Sequence, residues 1–436
     1  MTDTGQRYAD LDRLMLMART HAQVIQVVSI GAGDAFIERY WPRLRSAVEL
    51  GHISLLIVDN QPLSELAAQK VDLAKDAGET SAARGLERAY GQLMQDIEAH
   101  HNTHVDDPRW IHFVNLSDPS GQAWLDRIRA DVVFVLVPDY AHIRVAQRWL
   151  RRATLIMIEK PYDKEYPTAL DFEKALNQML KATDEATGGE LPGTVVSPFD
   201  HYLAKIHNYV RRQKADHLES QIGSVSGVAF ALLESGPVEK WRAATLKGGM
   251  VYDLFSHVLA MLSVELNLSS FQTSHRRTMI SVARHSGLED FEGDTFADFQ
   301  FDMKNHVGAP ISVKGQVGKG VGEQDEKHLT LIGQYARLHF ELGRSDPGIF
   351  KVDSNERRVK LYDINEGHKE FLDSILGGRF QEDKIGWLKG DVALQILRTI
   401  YNIRKAMPSD MPPYTPGDSK EKVMEIAAPI FGHRVT

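Results

Sequence analysis

Residues 24–36 read VIQVVSIGAGDAF, an apolar run that leads directly into two closely spaced glycines. Four further runs of this kind follow at Ile53–Asp59, Trp110–Leu116, Val132–Val137 and Thr154–Glu159. The segment after the first run has helical spacing, with apolar residues at Phe36, Leu44 and Val48. Short β-branched runs that alternate with helices are typical of βαβ units, whose parallel strands are buried on both faces. Residues 24–160 therefore predict a Rossmann-type, doubly wound α/β domain.

Three further segments complete the prediction for the first half of the chain. Ala74–His104 is rich in Glu, Ala, Gln and Lys, which predicts one long or two short helices inserted before the third strand. Asp163–Ala186 predicts another helix, and Thr194–Phe199 predicts a sixth strand after a glycine-rich turn. We therefore expect a dinucleotide-binding domain over residues 1–193 and a substrate-binding and oligomerisation domain over residues 194–436.

The character of the sequence changes between Ser224 and Asp363. The alternating runs there are SVSGVAFALLES, DTFADFQFDM, APISVKGQVG, LTLIGQYARLHFEL and RRVKLYD. They follow one another without long helices, which predicts a C-terminal α+β domain with a large, mostly antiparallel sheet. A helix over Gly386–Ala406 is expected to close this domain and to be able to pack back on the first. An uncovered apolar sheet face would seek a partner, which predicts a homodimer or homotetramer.

Composition excludes several classes of function. The chain has 51 basic and 59 acidic residues, a formal net charge of −8, so we expect no nucleic-acid partner. It has no cysteine, which rules out thiolate catalysis and cysteine-based metal sites, and we expect no bound metal. No apolar stretch is long enough for a signal peptide or a membrane span, so we expect a cytoplasmic protein without a membrane partner.

The turn after the first strand predicts a coenzyme site. Gly31 and Gly33 let the backbone approach a pyrophosphate at the helix start, where Asp34 and Ala35 follow. The third glycine of the usual pattern is absent, and an ordinary tight turn is the alternative interpretation. We assign Pro138, after the fourth strand, to the same site.

The second strand bears on the choice of coenzyme. It ends at Asp59, where a carboxylate would accept hydrogen bonds from ribose hydroxyls and repel a 2′-phosphate. No basic residue follows before Lys70. NAD is therefore favoured over NADP, although a solvated aspartate at a strand end is the alternative.

Three segments carry residues suited to catalysis or substrate binding. Glu159-Lys160-Pro161 ends the fifth strand, where Lys160 can hydrogen-bond a substrate hydroxyl or simply be a surface charge. His201 and Lys205 in DHYLAK are four residues apart, so both can face one anion such as a phosphate. The alternative is a helix start that is capped by Asp200.

The third segment runs from Gly248 to His257. Asp253 and His257 are also four residues apart on a helix, and a carboxylate beside an imidazole suits a general base. A buried core histidine is the alternative interpretation.

Together these motifs resemble two groups of oxidoreductases. GAGDAFIERYWPRLRSAVELG, IEKPYDKEYPTALDFEKALNQML and FDHYLAK resemble the coenzyme loop, the EKP segment and the substrate signature of glucose-6-phosphate dehydrogenases. Gly248–His257 and the EKP lysine also resemble the wider Gfo/Idh/MocA oxidoreductases. The resemblance covers residues 24–265 well and the remainder in outline.

The resemblance implies roles for individual residues. In the first pattern His201, Lys205 and Tyr202 bind a substrate phosphate or sugar, and Asp200 orients the base His257. In the second pattern the catalytic set is Lys160, Asp253 and His257. In both, the Glu159–Lys160 strand end borders the nicotinamide pocket.

The chain departs from the glucose-6-phosphate dehydrogenase pattern in ways that limit the resemblance. Ala204 stands where those enzymes usually carry glycine, the later Asp-to-His spacing is four rather than five, and the chain is shorter. We therefore expect an NAD-dependent sugar-phosphate dehydrogenase that has diverged from the housekeeping enzyme. The alternatives are a dehydrogenase of an unphosphorylated sugar or cyclitol, and a non-catalytic dinucleotide-binding sensor.

Overall fold

The computed structural model describes residues 24–76, 78–101, 110–117, 119–160, 162–163, 166–185, 194–197, 222–236, 249–265, 279–286, 293–304, 308–343, 349–352, 355–358, 388–407 and 410–431. The chain divides into two compact units. The first comprises Met1–Pro198 and His368–Gly390, and the second comprises Phe199–Gly367 and Asp391–Thr436. The division thus lies after the sixth strand, and a later segment of the chain returns to the first unit.

The first unit is built on a seven-stranded sheet. Its parallel strands are β1 (Ile25–Ile30), β2 (Ile53–Asp59), β3 (Ile111–Asn115), β4 (Ala130–Val135), β5 (Ala153–Ile158) and β6 (Thr194–Ser197). They lie in the order β3-β2-β1-β4-β5-β6, and the short strand Leu388–Lys389 adds antiparallel to β6. This order confirms the predicted Rossmann-type sheet, and it places the topological switch point between β1 and β4.

Helices connect these strands. They are α1 (Trp41–Glu49), α2 (Leu63–Asp76), α3 (Thr80–His101), α4 (Pro119–Leu125), α5 (His142–Trp149) and α6 (Tyr166–Glu185). A π-helical turn, Phe36–Tyr40, precedes α1 directly. The predicted insertion before β3 forms two helices, α2 and α3, which are separated at Gly78 with its φ of +79°. Val71 and Ala74 of α2 pack on Ala83 of α3, so the pair forms a helical hairpin.

The second unit contains a ten-stranded sheet. Its strands include β7 (Gly227–Glu234), β8 (Met279–His285), β9 (Phe296–Lys304), β10 (Pro310–Lys319), β11 (Glu326–Ile332), β12 (Arg337–Glu341), β13 (Ile349–Val352) and β14 (Asn355–Arg358). The order is β14-β13-β12-β11-β7-β10-β9-β8, and among these neighbours only β7 and β10 are parallel. The predicted mostly antiparallel sheet is therefore confirmed.

Several details of this unit differ from the sequence prediction. The single run LTLIGQYARLHFEL contains the second half of β11 and all of β12, which are joined by a turn at Gly333. The closing helix, α8 (Gly390–Ala406), begins at Gly390, and from Asp391 onward it belongs to the second unit. The chain then continues through the short strand Pro413–Tyr414, helix α9 (Lys420–Ile426) and the strand Ala428–Phe431. Both short strands pair with β8.

The two faces of the second sheet have different chemistry. On one face Phe255 stacks on Phe299 with ring centroids 4.1 Å apart, as aromatic residues pack in a core. On the other face α9 covers one end, where Val423 lies in a buried cluster with Phe296. The remaining described outward side chains of β9–β12 are largely polar: Asp298, Gln300, Asp302, Ser312, Lys314, Gln316, His328, Thr330, His339 and Glu341. On this face the neighbouring strand β7 carries the apolar residues Ala229, Ala231 and Leu233, and the oligomeric state stays a prediction.

Candidate functional site

The glycine loop after β1 is tied to the switch point of the first sheet. Gly31 has a φ of +102°, and a Cβ at this position would lie 2.5 Å from the carbonyl oxygen of Leu136, just beyond β4. Its N–H donates to the carbonyl of Val58 at 2.8 Å. Only glycine combines this φ with such a close approach. Gly31 therefore lets the loop lie directly against the ends of both neighbouring strands.

Ala32, the next residue, is held on both sides. Its N–H donates to Oδ2 of Asp59 at 2.9 Å, and its carbonyl accepts a hydrogen bond from the hydroxyl of Tyr90 at 2.9 Å. Oδ1 of Asp59 accepts the N–H of Gln61 at 3.1 Å. Asp59 thus braces the loop, and its carboxylate retains lone pairs for a further donor. The role of Asp59 at a ribose stays a prediction.

Gly33 marks where the loop opens. A Cβ added here would meet no atom within 4 Å, in contrast to Gly31. The N–H of Ile37 donates to the carbonyl of Gly33 at 3.0 Å, so Gly33, Asp34 and Ala35 form the first turn of the helix. N–H groups of a first turn have no intrahelical acceptor, and they favour an anion. The free space and these donors fit the pyrophosphate of a dinucleotide.

Asp34 brings a negative charge to the same helix start. Its Oδ2 lies 2.8 Å from Nζ of Lys70 in α2, and both side chains are partly buried. Burial raises the pKa of the Tyr90 hydroxyl, and the carboxylates of Asp34 and Asp59 raise it further. Lys70 therefore offsets the negative charge that Asp34 brings to the helix start.

The end of β5 is attached to the helix that follows the glycine loop. The carboxylate of Glu159 accepts a hydrogen bond from Arg39 at 3.1 Å and another from the hydroxyl of Tyr40 at 2.8 Å. Burial and the neighbouring Glu159 raise the pKa of Tyr40, so its hydroxyl stays a donor. Lys160 follows directly and is half-buried. These contacts link the end of β5 to the π-helical turn Phe36–Tyr40.

The structure thus gathers the sequence-predicted residues of the first unit at one edge of its sheet. The glycine loop, Asp59 and the Glu159–Lys160 strand end all lie at carboxyl ends of parallel strands, where ligands of open α/β sheets bind. Pro138 lies at the same edge, where it is exposed and precedes a short 3₁₀ turn.

The second unit holds the helix that carries Asp253 and His257. A π-helical turn, Val251–Phe255, leads directly into α7 (Ser256–Glu265). Gly249 has a φ of +78°, and a Cβ there would lie 2.0 Å from Oδ1 of Asp294. Oδ2 of Asp294 accepts the N–H of Val251 at 2.8 Å. Asp294 therefore anchors the start of this helix.

The helix is buried on every side rather than along one stripe. The predicted stripe is buried at Met250, Leu254, Val258, Met261 and Leu262, but so are Val251, Tyr252, Phe255 and Leu259. His257 is 2% exposed, whereas Asp253 is half-buried. The π turn adds a residue to the turn that contains Asp253, so the regular α-helical spacing assumed for the pair does not hold there. The interpretations of His257 as a base and as a core histidine both stay open.

Some predicted site residues lie outside the described residues. These are Asp200, His201, Tyr202, Lys205 and Gly248, together with Pro161. The predicted phosphate clasp and the choice between Asp200 and Asp253 as the partner of His257 therefore stay predictions.

Sequence reasoning did not identify five side chains at these sites: Arg39, Tyr40, Tyr90, Asp294 and, as a partner of Asp34, Lys70. Each contacts a residue that is distant along the chain, from 36 positions for Lys70 to 120 for Arg39. No local motif marks such a contact. The clearest signal was Tyr90, the one tyrosine on the apolar stripe of α3, which also carries Ala83, Leu86 and Leu93.

The described residues also bear on metal binding and membrane insertion. Among the described residues, no group of His, Asp and Glu side chains is arranged to hold a metal ion. In that same part of the chain, no helix combines the length and the apolar character needed to cross a membrane.

Comparison with known proteins identifies solved structures with a similar fold. No family model and no curated protein matches the chain. Among solved structures, a glucose-6-phosphate 1-dehydrogenase from Mycobacterium avium aligns with a TM-score of 0.59 at 14% identity, over 92% of this chain and 96% of that one. The chain shares the two-domain fold of this enzyme.

Two further structures extend the likeness. A myo-inositol dehydrogenase from Corynebacterium glutamicum aligns with a TM-score of 0.53 at 14% identity, over 88% of this chain and 96% of that one. A 3-ketoreductase from Actinomadura kijaniata, solved with NADP and TDP-benzene, aligns with a TM-score of 0.55 at 15% identity, over 87% and 97%. At the level of the fold, the predicted resemblance to both groups of oxidoreductases is confirmed.

Proposed function

We propose that this protein is a nicotinamide-dinucleotide-dependent oxidoreductase that interconverts a hydroxyl and a carbonyl group on a sugar, a sugar phosphate or a cyclitol. The observation that carries this proposal is the open glycine loop at the switch point of the first sheet. The fold adds support, because the similar structures include two dehydrogenases and a ketoreductase.

The proposed chemistry assigns a task to each group of residues. The coenzyme, when bound, supplies the acceptor for the hydride that leaves the substrate carbon. The N–H groups at Gly33 and the helix start bind its pyrophosphate. The resemblance assigns Lys160 a hydrogen bond to the substrate hydroxyl oxygen and assigns His257 the hydroxyl proton, so that the carbon is left as a carbonyl. Asp253 or Asp200 orients His257.

We further propose that NAD is preferred over NADP. Asp59 and Asp34 place two carboxylates at the loop, and Lys70, the nearby cation, is already paired with Asp34. A 2′-phosphate would add negative charge beside these groups. The 3-ketoreductase was solved with NADP, so the preference here rests on this chain's own residues.

The proposal has two forms, which differ in whether the substrate carries a phosphate. If His201 and Lys205 clasp a phosphate, the substrate is a sugar phosphate. If they do not, the substrate is an unphosphorylated sugar or cyclitol. A panel that pairs each sugar phosphate with its unphosphorylated parent compound distinguishes the two.

The test begins with binding and continues with turnover. NAD should raise the melting temperature more than NADP does. A tenfold difference in affinity corresponds to about 1.4 kcal/mol of additional stabilisation at saturating ligand. The substrate panel is then screened for NAD reduction. For the best substrate, His257→Ala should lower kcat by about 10²–10⁴-fold with NAD affinity unchanged.

His285→Ala provides the matched control, because His285 is also a buried histidine of the second unit. It should lower stability without a comparable loss of kcat. Near-normal turnover in His257→Ala would show that His257 is a core histidine. Binding of NAD without turnover of any substrate would favour the sensor alternative, and failure to bind either nucleotide would overturn the proposal.

A further inference from the structure

We propose that Tyr90, on the inserted helix α3, is a positioning residue that aims the N–H of Gly33 at the coenzyme pyrophosphate. The inference rests on the coenzyme part of the proposed function. It adds a residue outside the glycine motif, from a helix that the βαβ pattern itself does not require.

The carbonyl of Ala32 is the point at which Tyr90 contacts the glycine loop. The hydroxyl of Tyr90 donates to this oxygen at 2.9 Å, and the Tyr90 side chain is fully buried. On the other side of the residue, the N–H of Ala32 donates to Asp59 at 2.9 Å. Ala32 is therefore held at both of its backbone polar groups.

Peptide planarity carries this restraint to Gly33. The carbonyl of Ala32 and the N–H of Gly33 belong to one planar trans peptide, in which the two groups point in opposite directions. A carbonyl held toward Tyr90 therefore directs the Gly33 N–H away from α3. The space that a Cβ at Gly33 would occupy is also open, so an anion can approach this part of the loop closely.

The phenol is suited to this task because it stays protonated. Burial raises its pKa, and the carboxylates of Asp34, Asp59 and Glu38 raise it further. A carbonyl oxygen accepts but does not donate, so only a neutral hydroxyl can hold it. Tyr90 thus supplies a permanent donor and adds no charge near the pyrophosphate.

The helical hairpin fixes the position of the phenol. Besides Tyr90, α2 contributes Lys70 to Asp34 at 2.8 Å, and α3 contributes Asp96, which lies 2.7 Å from Nε of Arg45 in α1. The hairpin therefore contacts the loop, the helix start and the following helix. A donor aligned before binding removes an ordering cost that the coenzyme would otherwise meet.

The experiment is Tyr90→Phe, which keeps the ring and removes the hydroxyl. NADH and ADP-ribose, which both contain the pyrophosphate, are titrated by calorimetry together with adenosine, which lacks it. We expect the affinity for NADH and ADP-ribose to fall about 3–10-fold, as for loss of one hydrogen bond. Adenosine affinity should not change, because its contacts do not include the Gly33 N–H.

Tyr414→Phe is the matched control. Tyr414 is also a buried tyrosine whose hydroxyl donates to a backbone carbonyl, that of Lys319, but it lies in the second unit. Melting temperatures without ligand measure the structural cost of each substitution. Both variants should lose stability, and only Tyr90→Phe should lose affinity for ADP-ribose.

The outcomes separate the two proposals. If the parent protein binds NADH, and Tyr90→Phe binds NADH and ADP-ribose as tightly as the parent does, the positioning role is overturned and the proposed function stands. An equal loss for adenosine and ADP-ribose would also overturn it, because a general loosening of the site has no preference for the pyrophosphate. If the parent protein binds neither NADH nor ADP-ribose, both proposals fail.

Discussion

The glycine turns at Gly31–Gly33 and at Gly249 have similar local structure. Each turn includes a glycine with a positive φ, Gly31 in the first unit and Gly249 in the second, and each leads into a π-helical turn that continues as an α-helix. In each, an aspartate from elsewhere in its unit accepts a backbone N–H of the turn: Asp59 accepts that of Ala32, and Asp294 accepts that of Val251.

At both positive-φ glycines a Cβ would meet protein, Leu136 at Gly31 and Asp294 at Gly249, but the first turn also carries a second glycine, Gly33. A side chain at Gly33 would meet nothing within 4 Å, whereas one at Gly249 would overlap the carboxylate of Asp294. The first turn is therefore open to a ligand at Gly33, whereas in the second turn Asp294 fills the space beside Gly249. A glycine turn before a helix thus indicates a binding site only when the neighbouring space is free, and that depends on distant residues.

The largest expected effect comes from the same substitution at both turns. Gly249→Ala combines a positive φ with overlap at Asp294, so it should cost about 3 kcal/mol of unfolding free energy. Gly33→Ala should change stability by no more than about 0.5 kcal/mol. In contrast, Gly33→Ala should weaken NAD binding about tenfold, because its methyl group occupies the open space.

Urea unfolding followed by circular dichroism, together with NAD titration, measures both quantities. A lower stability of Gly33→Ala than of Gly249→Ala would contradict the proposed difference between the two turns. A Gly249→Ala variant that remains stable but loses NAD affinity would contradict it as well.

The next largest effect is the pH dependence of stability that Asp294 causes at the Gly249 turn. Burial raises the pKa of Asp294 to about 7, although Val251 N–H and Arg404 act in the opposite direction. In the unfolded chain an aspartate has a pKa near about 3.9, so between these values the folded protein binds more protons. The contribution of Asp294 to stability is therefore full at low pH and is lost as pH rises toward 7, with a slope of up to about 1.4 kcal/mol per pH unit.

Asp294→Asn isolates this contribution. Burial also raises the pKa of Asp298, while lysines lower that of Glu234, so the parent protein shows a sum of effects. The difference between parent and Asp294→Asn in unfolding free energy, measured from pH 4 to pH 8, reports Asp294 alone. A difference that does not vary with pH would mean that Asp294 titrates as an ordinary exposed aspartate.

The smallest expected effect is on NAD affinity, through the ion pair Asp34–Lys70 at the first turn. Lys70→Met leaves a carboxylate facing the pyrophosphate, which should weaken NAD binding about 2–5-fold at low salt, as for a partly exposed ion pair. Adding Asp34→Asn to Lys70→Met should restore most of the affinity. The loss should also diminish at high salt, where charges are screened.

Lys75→Met, an exposed position on the same helix, removes the same charge and serves as the control. It should leave NAD affinity unchanged. Equal effects at Lys70 and Lys75 would point to net charge rather than to the pair. Failure of Asp34→Asn to restore binding would exclude Asp34 as the source of the repulsion.

The sequence alone predicted the layers of both units. Each parallel strand of the first sheet lies within a few residues of its predicted run, because β-branched residues buried on both faces leave an unmistakable pattern. The polar and apolar alternation of β9 and β10 likewise predicted the second sheet. The glycine loop was also recognisable, since φ, spacing and position after a strand are local properties.

Tertiary structure decided which groups meet at those elements. Tyr90 reaches Ala32 across 58 positions, Arg39 reaches Glu159 across 120, and Asp294 reaches Val251 across 43. Sequence periodicity reports which face of an element is buried, but not which distant polar group meets it there. Only the packed chain brings a phenol to the carbonyl of Ala32 and a carboxylate into the space beside Gly249, and these contacts leave one turn open and close the other.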